Sequence, residues 1–187
     1  MNKQKGVIFL GPPGSGKGTQ GQELASRLGV PHISTGEILR GAIAANTPLG
    51  QQAQSYVDRG ELVPDPLLLD LIRERLHQSD TEKGWILDGF PRNVAQAQFL
   101  DLLISEFANL STYVINLEVP DEVLIERLMQ RGRQDDTAET IGRRLQVYYE
   151  QTQPVISYYQ QKSALTSVNG NRAVEEISNN LDGLVQS

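Results

Sequence analysis

The chain has 187 residues, of which 39% are hydrophobic, a formal net charge of −6 and no cysteine. That length suits one domain with a sizeable core, and the acidic balance argues against a nucleic-acid binder held by phosphate-backbone contacts. Without cysteine there is no disulfide framework and no Cys-built zinc site. The first apolar run ends at Leu10, too early for a signal-peptide core or a membrane span. We therefore expect a soluble, cytoplasmic protein.

The first motif is a glycine-rich turn between a predicted strand and a predicted helix. Residues 5–10 are an apolar run, residues 11–20 have the sequence GPPGSGKGTQ, and helical periodicity follows. Glycines let backbone N–H groups turn inward around an anion, the helix points its positive end at that anion, and Lys17 adds a full charge. The spacing is that of a P-loop, except that Gly18 stands where Ser or Thr is usual and Thr19 follows. The motif predicts a site for nucleotide phosphates.

A second short strand is predicted over 31–35, and a helix follows from Gly36. Thr35 and Arg40 would then flank one helix N-terminus, where a hydroxyl and a guanidinium can face a ligand. Plain capping and solvation are the commoner explanation of such a pair.

Two further helices are predicted on either side of an extended segment, 61–66, which contains two prolines. The first begins near Leu49 and ends before Gly60. The second is expected to be capped by Asp65. Leu and Ile recur on a wide face of that second helix, which should therefore pack on the core.

The third predicted strand, residues 84–88, ends in a carboxylate. In a P-loop protein, Asp88 at that position is expected to lie beside the phosphate loop and to hold Mg²⁺ or its water, the alternative being a simple strand-end cap. Gly89 follows, so the Glu that a water-activating ATPase would place there is missing. This favours phosphoryl transfer over hydrolysis.

After a fourth strand, 112–117, two predicted helices carry five arginines within 18 positions: Arg127, Arg131, Arg133, Arg143 and Arg144. Asp136 is predicted to cap the second helix, and Pro154 to kink it or to break one of its hydrogen bonds. The cluster predicts a hinged cationic flap that like-charge repulsion holds open until phosphates arrive. The alternative is a solvated hairpin with salt bridges to neighbouring glutamates.

A last strand over 163–168 and a closing helix over 174–185 complete the pattern. Alternating strands and helices predict an α/β fold of the P-loop NTPase type, with a central parallel five-stranded sheet between two helical layers. Ligands of such folds bind at the carboxyl ends of the strands. The phosphate loop, Thr35, Asp88 and the turn after the last strand should therefore share one crevice.

Over essentially its whole length the sequence resembles the adenylate kinase family. The phosphate loop has that family's Lys-Gly-Thr order, and residues 34–40 (STGEILR) resemble its AMP-binding motif, with Glu37 where Asp is more usual. The match is completed by 62–64, 89–92 with Gln96, and 127–144. The resemblance implies a core of residues 1–33, 64–129 and 137–187, an NMP-binding segment over 34–63, and a short lid over 130–136 that lacks the zinc-binding insert of some members.

The resemblance also implies an activity: reversible transfer of the terminal phosphoryl group of MgATP to AMP, giving two ADP, for adenine nucleotide homeostasis and nucleotide biosynthesis. It implies that ATP is bound by Gly14, Ser15, Gly16, Lys17, Gly18, Thr19, Arg127, Arg131, Gly170 and Arg172. It implies that AMP is bound by Thr35, Arg40, Glu61, Leu62, Val63, Gly89, Phe90, Pro91, Arg92, Gln96, Arg133 and Arg144. The implied catalytic residues are Lys17, Asp88, Arg92, Arg131, Arg133 and Arg144.

The implied cofactor is Mg²⁺, held by Asp88 through water, with no zinc. The implied partners are ATP, AMP and ADP, bound by a monomer that contacts neither nucleic acid nor membrane. The nearest alternative is a UMP or CMP kinase, but in that family the Thr35 position is commonly Ala and the Gln96 position is commonly Asn. A GTPase-like switch is the alternative from another class, and the sequence has no Asn-Lys-x-Asp guanine-recognition motif.

Overall fold

The computed structural model describes residues 4–134 and 136–186. Within them the chain forms a five-stranded sheet in the order β2-β3-β1-β4-β5. All neighbouring strands are parallel, which confirms the predicted α/β architecture. The strands are β1 (Gln4–Leu10), β2 (His32–Ser34), β3 (Gly84–Asp88), β4 (Leu110–Glu118) and β5 (Leu165–Asn169).

Helices connect these strands, with a 3₁₀ turn at Ser79–Thr81 and a π-helical turn at Tyr148–Thr152. The helices are α1 (Lys17–Leu28), α2 (Thr35–Ala44), α3 (Pro48–Arg59), α4 (Asp65–Leu76), α5 (Val94–Ile104), α6 (Asp121–Arg131), α7 (Ala138–Val147), α8 (Gln153–Gln161) and α9 (Val174–Gln186). Within the described ranges, no helix has the length and apolar character needed to cross a membrane.

The side chains of the central strand β1 pack on both faces of the sheet. Its side chains alternate, so Val7 belongs to the apolar cluster that includes α1 and α9, whereas Ile8 belongs to the cluster that includes α4, α5 and α8. Both side chains are fully buried. Burial on both faces explains why β1 is a continuous apolar run rather than an alternating one.

The strand register places the predicted site residues at one edge of the sheet. Asp88 at the end of β3 is level with Phe9 of β1 and with Ser34 of β2. The phosphate loop follows β1 and Thr35 follows β2, so both begin beside Asp88. Three segments that are far apart in sequence therefore meet at the carboxyl edge of the sheet.

Two predicted helix caps are wrong. Helix α4 begins at Asp65 itself, with Pro64 as its N-cap, because the Asp65 carboxylate instead accepts hydrogen bonds from side chains near the start of α5. Helix α7 is capped by the hydroxyl of Thr137, which accepts from the N–H of Thr140. Asp136 cannot serve as that cap because its carboxylate is bound by guanidinium groups.

The predicted disruption at Pro154 is confirmed. Helix α7 ends at Val147, the π-helical turn follows, and α8 starts at Gln153 with Pro154 in its first turn. A proline there lacks the N–H that a continuous helix would use, and the wider π turn takes up the mismatch.

Candidate active site

The carboxyl ends of the strands open into a cavity of about 900 Å³. Its lining includes the predicted residues Gly14, Ser15, Gly16, Lys17, Gly18, Thr19, Thr35, Arg40, Glu61, Leu62, Val63, Asp88, Gly89, Pro91, Arg92, Gln96, Arg127, Arg131, Arg133, Arg144, Gly170 and Arg172. Phe90 is the exception, because its ring is fully buried in the apolar cluster under the site. Its side chain therefore belongs to the core and not to the cavity wall.

The phosphate loop depends on glycine at its tightest points. Gly11, Gly14 and Gly16 have φ values of +139°, +84° and +95°, a region that side-chain-bearing residues rarely adopt. A Cβ atom on Gly11 would also lie 2.7 Å from the carbonyl oxygen of Leu117. The loop can therefore lie against β4 only because its first residue has no side chain.

The ammonium group of Lys17 folds back over this loop. Its Nζ donates to the carbonyl oxygens of Gly11 at 2.9 Å and Pro12 at 2.8 Å. Burial lowers the pKa of Lys17 to about 8, although Asp88 opposes that shift. Arg92 and Arg131 lower this pKa further. Lys17 is thus a cation whose charge a bound phosphate would stabilise.

Asp88 lies beside the start of α1, where only 8% of the residue is exposed. A Cβ atom on Gly18 would be 3.7 Å from its Oδ2, and Nε2 of His32 lies 3.7 Å from that same oxygen. Burial alone would raise the pKa of Asp88, but His32, Lys17 and Arg92 together lower it on balance. The site therefore holds an ionised carboxylate next to the phosphate loop.

Thr35 is the first residue of α2, and Ser34 caps that helix by accepting from the N–H of Glu37. The hydroxyl of Thr35 is almost fully buried and donates to the carbonyl oxygen of Gly89 at 2.8 Å. A Cβ atom on Gly89 would lie 2.5 Å from that hydroxyl. The absence of a side chain at Gly89 thus lets α2 approach the end of β3 closely.

Arg92 and Gln96 line the cavity beyond the end of β3, in the segment that leads into α5. The Arg92 guanidinium donates from Nε to the carbonyl oxygen of Gly89 at 2.7 Å, and the Arg92 N–H donates to Oε1 of Gln96 at 2.7 Å. Burial lowers the pKa of Arg92, Asp88 raises it, and Arg144 and Arg40 lower it further. An arginine keeps its charge despite such a shift, so three guanidinium groups together favour an anionic ligand here.

Asp136 organises the arginines of α6 and α7. Arg131 forms a bidentate ion pair with its carboxylate, at 2.8 and 2.6 Å. Arg144 approaches the same carboxylate to 3.0 Å, and the Arg133 N–H donates to it at 3.1 Å. The sequence had predicted that like charges hold this region open. Asp136 compensates part of that charge, so repulsion within the cluster is weaker than expected, and the open flap stays a prediction.

The other hairpin arginines have separate partners. Both terminal nitrogens of Arg127 donate to the carbonyl oxygen of Gly170 at 3.2 Å, which connects α6 to the turn after β5. Arg143 lies 3.7 Å from Glu61 and does not line the cavity, whereas Arg144 does. The arginine on the cavity lining is thus Arg144, the one of the two that the resemblance assigns to AMP.

Sequence reasoning missed the central position of Asp136 and the apolar wall formed by Leu39, Val57 and Leu68. An acidic residue enclosed by five arginines was a signal for the first. No signal marked the wall, because an apolar residue that faces a ligand follows the same helical periodicity as one that faces the core.

The family model described as adenylate kinase matches residues 9–164. "Adenylate kinase 1" of Synechocystis sp. (strain PCC 6803) is 59% identical over 186 residues and covers 100% of both chains. "Adenylate kinase 1" of Nostoc sp. (strain PCC 7120) is 53% identical, with 97% of this chain and 98% of the relative covered. "Adenylate kinase" of Trichodesmium erythraeum is 52% identical, with 92% and 93% covered.

Proposed function

This chain belongs to the adenylate kinase family, and on that premise we propose how its residues carry out the family's reaction. The enzyme interconverts ATP plus AMP and two ADP. One observation carries the assignment of roles. Asp136 binds both Arg131, whose charge acts on Lys17, and Arg144, whose charge acts on Arg92. All four of these cations line the same cavity, which supports a single site in which the two nucleotides meet.

The ATP end is the phosphate loop. Its inward N–H groups and the N-terminus of α1 hold the β and γ phosphates, and Lys17 compensates their charge. Arg127, Gly170 and Arg172 flank the adenosine half of ATP, which is supported by their position on the cavity lining beside the loop. Within the described residues, Lys17 donates only to uncharged oxygens, the carbonyls of Gly11 and Pro12 and the hydroxyl of Ser15 at 3.5 Å. Phosphates can therefore recruit it without breaking an ion pair.

The AMP end is formed by α2 and the start of α5. Arg40 and Arg92 bind the AMP phosphate, because each planar guanidinium group can donate two hydrogen bonds to phosphate oxygens. Thr35 and Gln96 recognise the adenine, with Glu61, Leu62 and Val63 alongside. Gln96 has one amide hydrogen and one oxygen lone pair beyond the contacts it already makes. Those two groups match the acceptor and the amino donor on the Watson–Crick edge of adenine.

Phosphoryl transfer then needs positioning and charge compensation. An AMP phosphate oxygen attacks the γ-phosphorus, and the bond to the bridging oxygen between the β and γ phosphates of ATP breaks. That attacking oxygen is already anionic, so no general base is needed. Arg131, Arg133 and Arg144 stabilise the transferring group by exchanging contacts with Asp136 for phosphoryl oxygens.

The buried, ionised carboxylate of Asp88 beside the loop would be a suitable hard-oxygen partner for the water shell of an Mg²⁺ ion bound with ATP. When bound, the ion neutralises the charge that develops between the β and γ phosphates. The described residues contain no group of three or more His, Cys, Asp or Glu that could hold a metal by themselves. The nucleotide and water must therefore supply most of the ligands, and we propose no zinc site.

The segment 34–63 and the described part of the lid, residues 130–134 and 136, act as moving parts that close over AMP and over the transferring phosphoryl group, which excludes water. Residue 135 of the predicted lid lies outside the described residues. We also propose a cytoplasmic monomer. Sedimentation equilibrium with and without nucleotides tests the monomer directly, and a stable dimer would contradict it.

The assignment of Gln96 is tested with Gln96→Ala in a coupled assay. Loss of two hydrogen bonds to adenine should raise KM for AMP about 10–100-fold and leave KM for ATP unchanged. Gln98→Ala is the matched control, because Gln98 is exposed on the same helix. If only KM for ATP changed, Gln96 would belong to the other nucleotide. The same assay across AMP, UMP, CMP and GMP should show a strong preference for AMP.

A further inference from the structure

Asp65 contacts Gln96, which lines the cavity. It does not line the cavity itself, and it is half-buried at the first position of α4, directly after Pro64. Its Oδ1 accepts from Nε2 of Gln96 at 2.7 Å and from Nδ2 of Asn93 at 3.1 Å. An acidic side chain is favoured at this helix N-terminus, so the carboxylate is stabilised where it meets Gln96.

Gln96 is held from both ends of its carboxamide. Its oxygen accepts from the Arg92 N–H at 2.7 Å, and its nitrogen donates to Asp65 at 2.7 Å. Gln96 is fully buried, and its backbone N–H donates to Oδ1 of Asn93 at 2.8 Å. A flipped carboxamide would set NH₂ against N–H at one end and C=O against a carboxylate at the other. Both contacts would become repulsive, so the observed orientation is strongly preferred.

The orientation of this carboxamide decides which purine it can pair with. Adenine presents an amino donor beside a ring-nitrogen acceptor, whereas hypoxanthine presents a carbonyl acceptor beside an N–H donor. If the orientation of the glutamine carboxamide is fixed, its available hydrogen and its available lone pair each face one position of the base edge. Such a carboxamide pairs with one of the two bases, and with the other it sets donor against donor and acceptor against acceptor. Only a flipped carboxamide would match hypoxanthine.

We propose that Asp65 is a positioning residue that fixes the Gln96 carboxamide in the orientation that accepts AMP and rejects IMP. This inference rests on the role proposed above for Gln96 in adenine recognition. Asp65 acts through Gln96 and touches no reacting atom. Asp65 also follows directly after the extended segment 61–64. It therefore connects the end of the AMP-binding segment to the residue proposed to recognise the base.

Three variants separate this role from a general structural one. Asp65→Ala removes the acceptor and lets the carboxamide flip. Asp65→Asn keeps an oxygen that can accept from Gln96. Asp121→Ala is the matched control, because Asp121 is likewise the first residue of a helix directly after a proline, and it likewise accepts a side-chain hydrogen bond, from Tyr149.

The experiment measures kcat and KM with AMP, with IMP and with ATP for the full chain, together with melting temperatures. Asp65→Ala should raise KM for AMP about 3–10-fold and reduce the ratio of kcat/KM for AMP over IMP about tenfold. KM for ATP should stay within about twofold. Asp65→Asn should remain within about threefold of the wild type in the AMP-to-IMP ratio, and Asp121→Ala should lower stability without changing that ratio.

Gln96→Ala, measured in parallel, distinguishes a failure of the role of Asp65 from a failure of the role of Gln96. If Gln96→Ala raises KM for AMP but Asp65→Ala leaves the AMP-to-IMP ratio unchanged, the inference about Asp65 is overturned and the role of Gln96 stands. If neither variant affects AMP, the assigned role of Gln96 is itself overturned. An equal rise of KM for AMP and ATP in Asp65→Ala, or an Asn variant as impaired as the Ala variant, would also overturn the positioning role.

Discussion

Two regions bring positive charge to the cavity, and they hold it in different ways. In the phosphate loop, Lys17 is bound by neutral carbonyl oxygens of a glycine-rich turn that lies against the sheet. In the hairpin, Arg131 and Arg144 share one carboxylate, Asp136, whose side chain has no exposed surface. The loop is therefore a preformed anion site, whereas the arginine cluster is already paired and must exchange that partner for phosphate.

The largest effect is expected from Lys17, which has no substitute within the loop. Lys17→Ala should lower kcat about 10²–10³-fold, the typical loss for one preorganised contact to the transition state. The fold should survive, because the substitution removes a buried charge without opening the apolar core. Circular dichroism checks the fold, and Lys83→Ala, at an exposed position, is the control. Unchanged turnover would refute the role of Lys17.

The pH dependence sharpens the same contrast. The pKa of Lys17 is lowered to about 8, so kcat/KM for MgATP should fall about tenfold per pH unit above that value as the free enzyme loses the charge. Bound phosphates raise this pKa, so kcat itself should show a later decline. The Lys17→Ala variant should lack the decline that the wild type shows, and a wild-type profile that is flat up to pH 10 would contradict the assignment.

Stability should follow the opposite trend. Because the folded pKa of Lys17 is below its unfolded value of 10.5, the unfolded chain binds more protons between pH 8 and 10.5. The contribution of Lys17 to the free energy of unfolding should therefore rise with pH across that window. Urea denaturation of the wild type and Lys17→Ala at pH 7 and pH 10 measures the difference. A wild type that loses stability relative to the variant over that window would contradict the sign.

A smaller effect is expected when the arginine cluster loses its partner. Asp136→Ala leaves Arg131 and Arg144 close together without their shared carboxylate, which should lower the free energy of unfolding by about 1–2 kcal/mol. Inorganic phosphate should restore more stability to this variant than to the wild type, because it can replace the carboxylate. Burial would raise the pKa of Asp136, but the hydrogen bond from Arg131 lowers it, and the net shift is downward.

The sign of that pKa shift gives a second check on the cluster. A folded pKa below the ordinary value of 3.8 means that the stabilisation is present above pH 4 and is lost as the pH falls through the folded value. Thermal denaturation of the wild type and Asp136→Ala should therefore converge only in strong acid. Asp182→Ala, which removes a surface pair with Arg27, is the control and should show no added phosphate rescue.

The same contrast explains how much the sequence could predict. The phosphate loop and β3 are contiguous in sequence and marked by glycine, so their positions and bounds were predictable: β3 spans Gly84–Asp88 as expected. The flanking arginines were a signal for the role of Asp136, but the same residue also fits a helix cap. Only the packing of α6 against α7 shows that Arg131 and Arg144 bind it.

Asp65 escaped prediction for a similar reason. It was assigned to the cap of α4 because a Pro-Asp-Pro sequence suits a helix start. Its actual partner, Gln96, comes 31 positions later in the sequence. Local patterns describe caps and turns well, but they do not show which polar groups two separate helices present to each other.

The smallest effect is expected from removing zinc. The lid segment has no cysteine, and the described residues form no cluster that could hold a metal by itself. A zinc-selective chelator with Mg²⁺ in excess should therefore leave both the melting temperature and turnover unchanged. A large drop in melting temperature with the zinc chelator would reveal a structural metal.

The preformed loop and the arginine cluster must serve two nucleotides that face each other across one cavity. The direct test is titration calorimetry with two adenosines joined through five phosphates. This ligand fills both sites without the entropy cost of a second molecule. One molecule should bind per chain, far more tightly than ATP or AMP, and the saturated protein should give no further heat with either nucleotide. Two molecules per chain, or AMP binding to the saturated protein, would contradict the shared cavity.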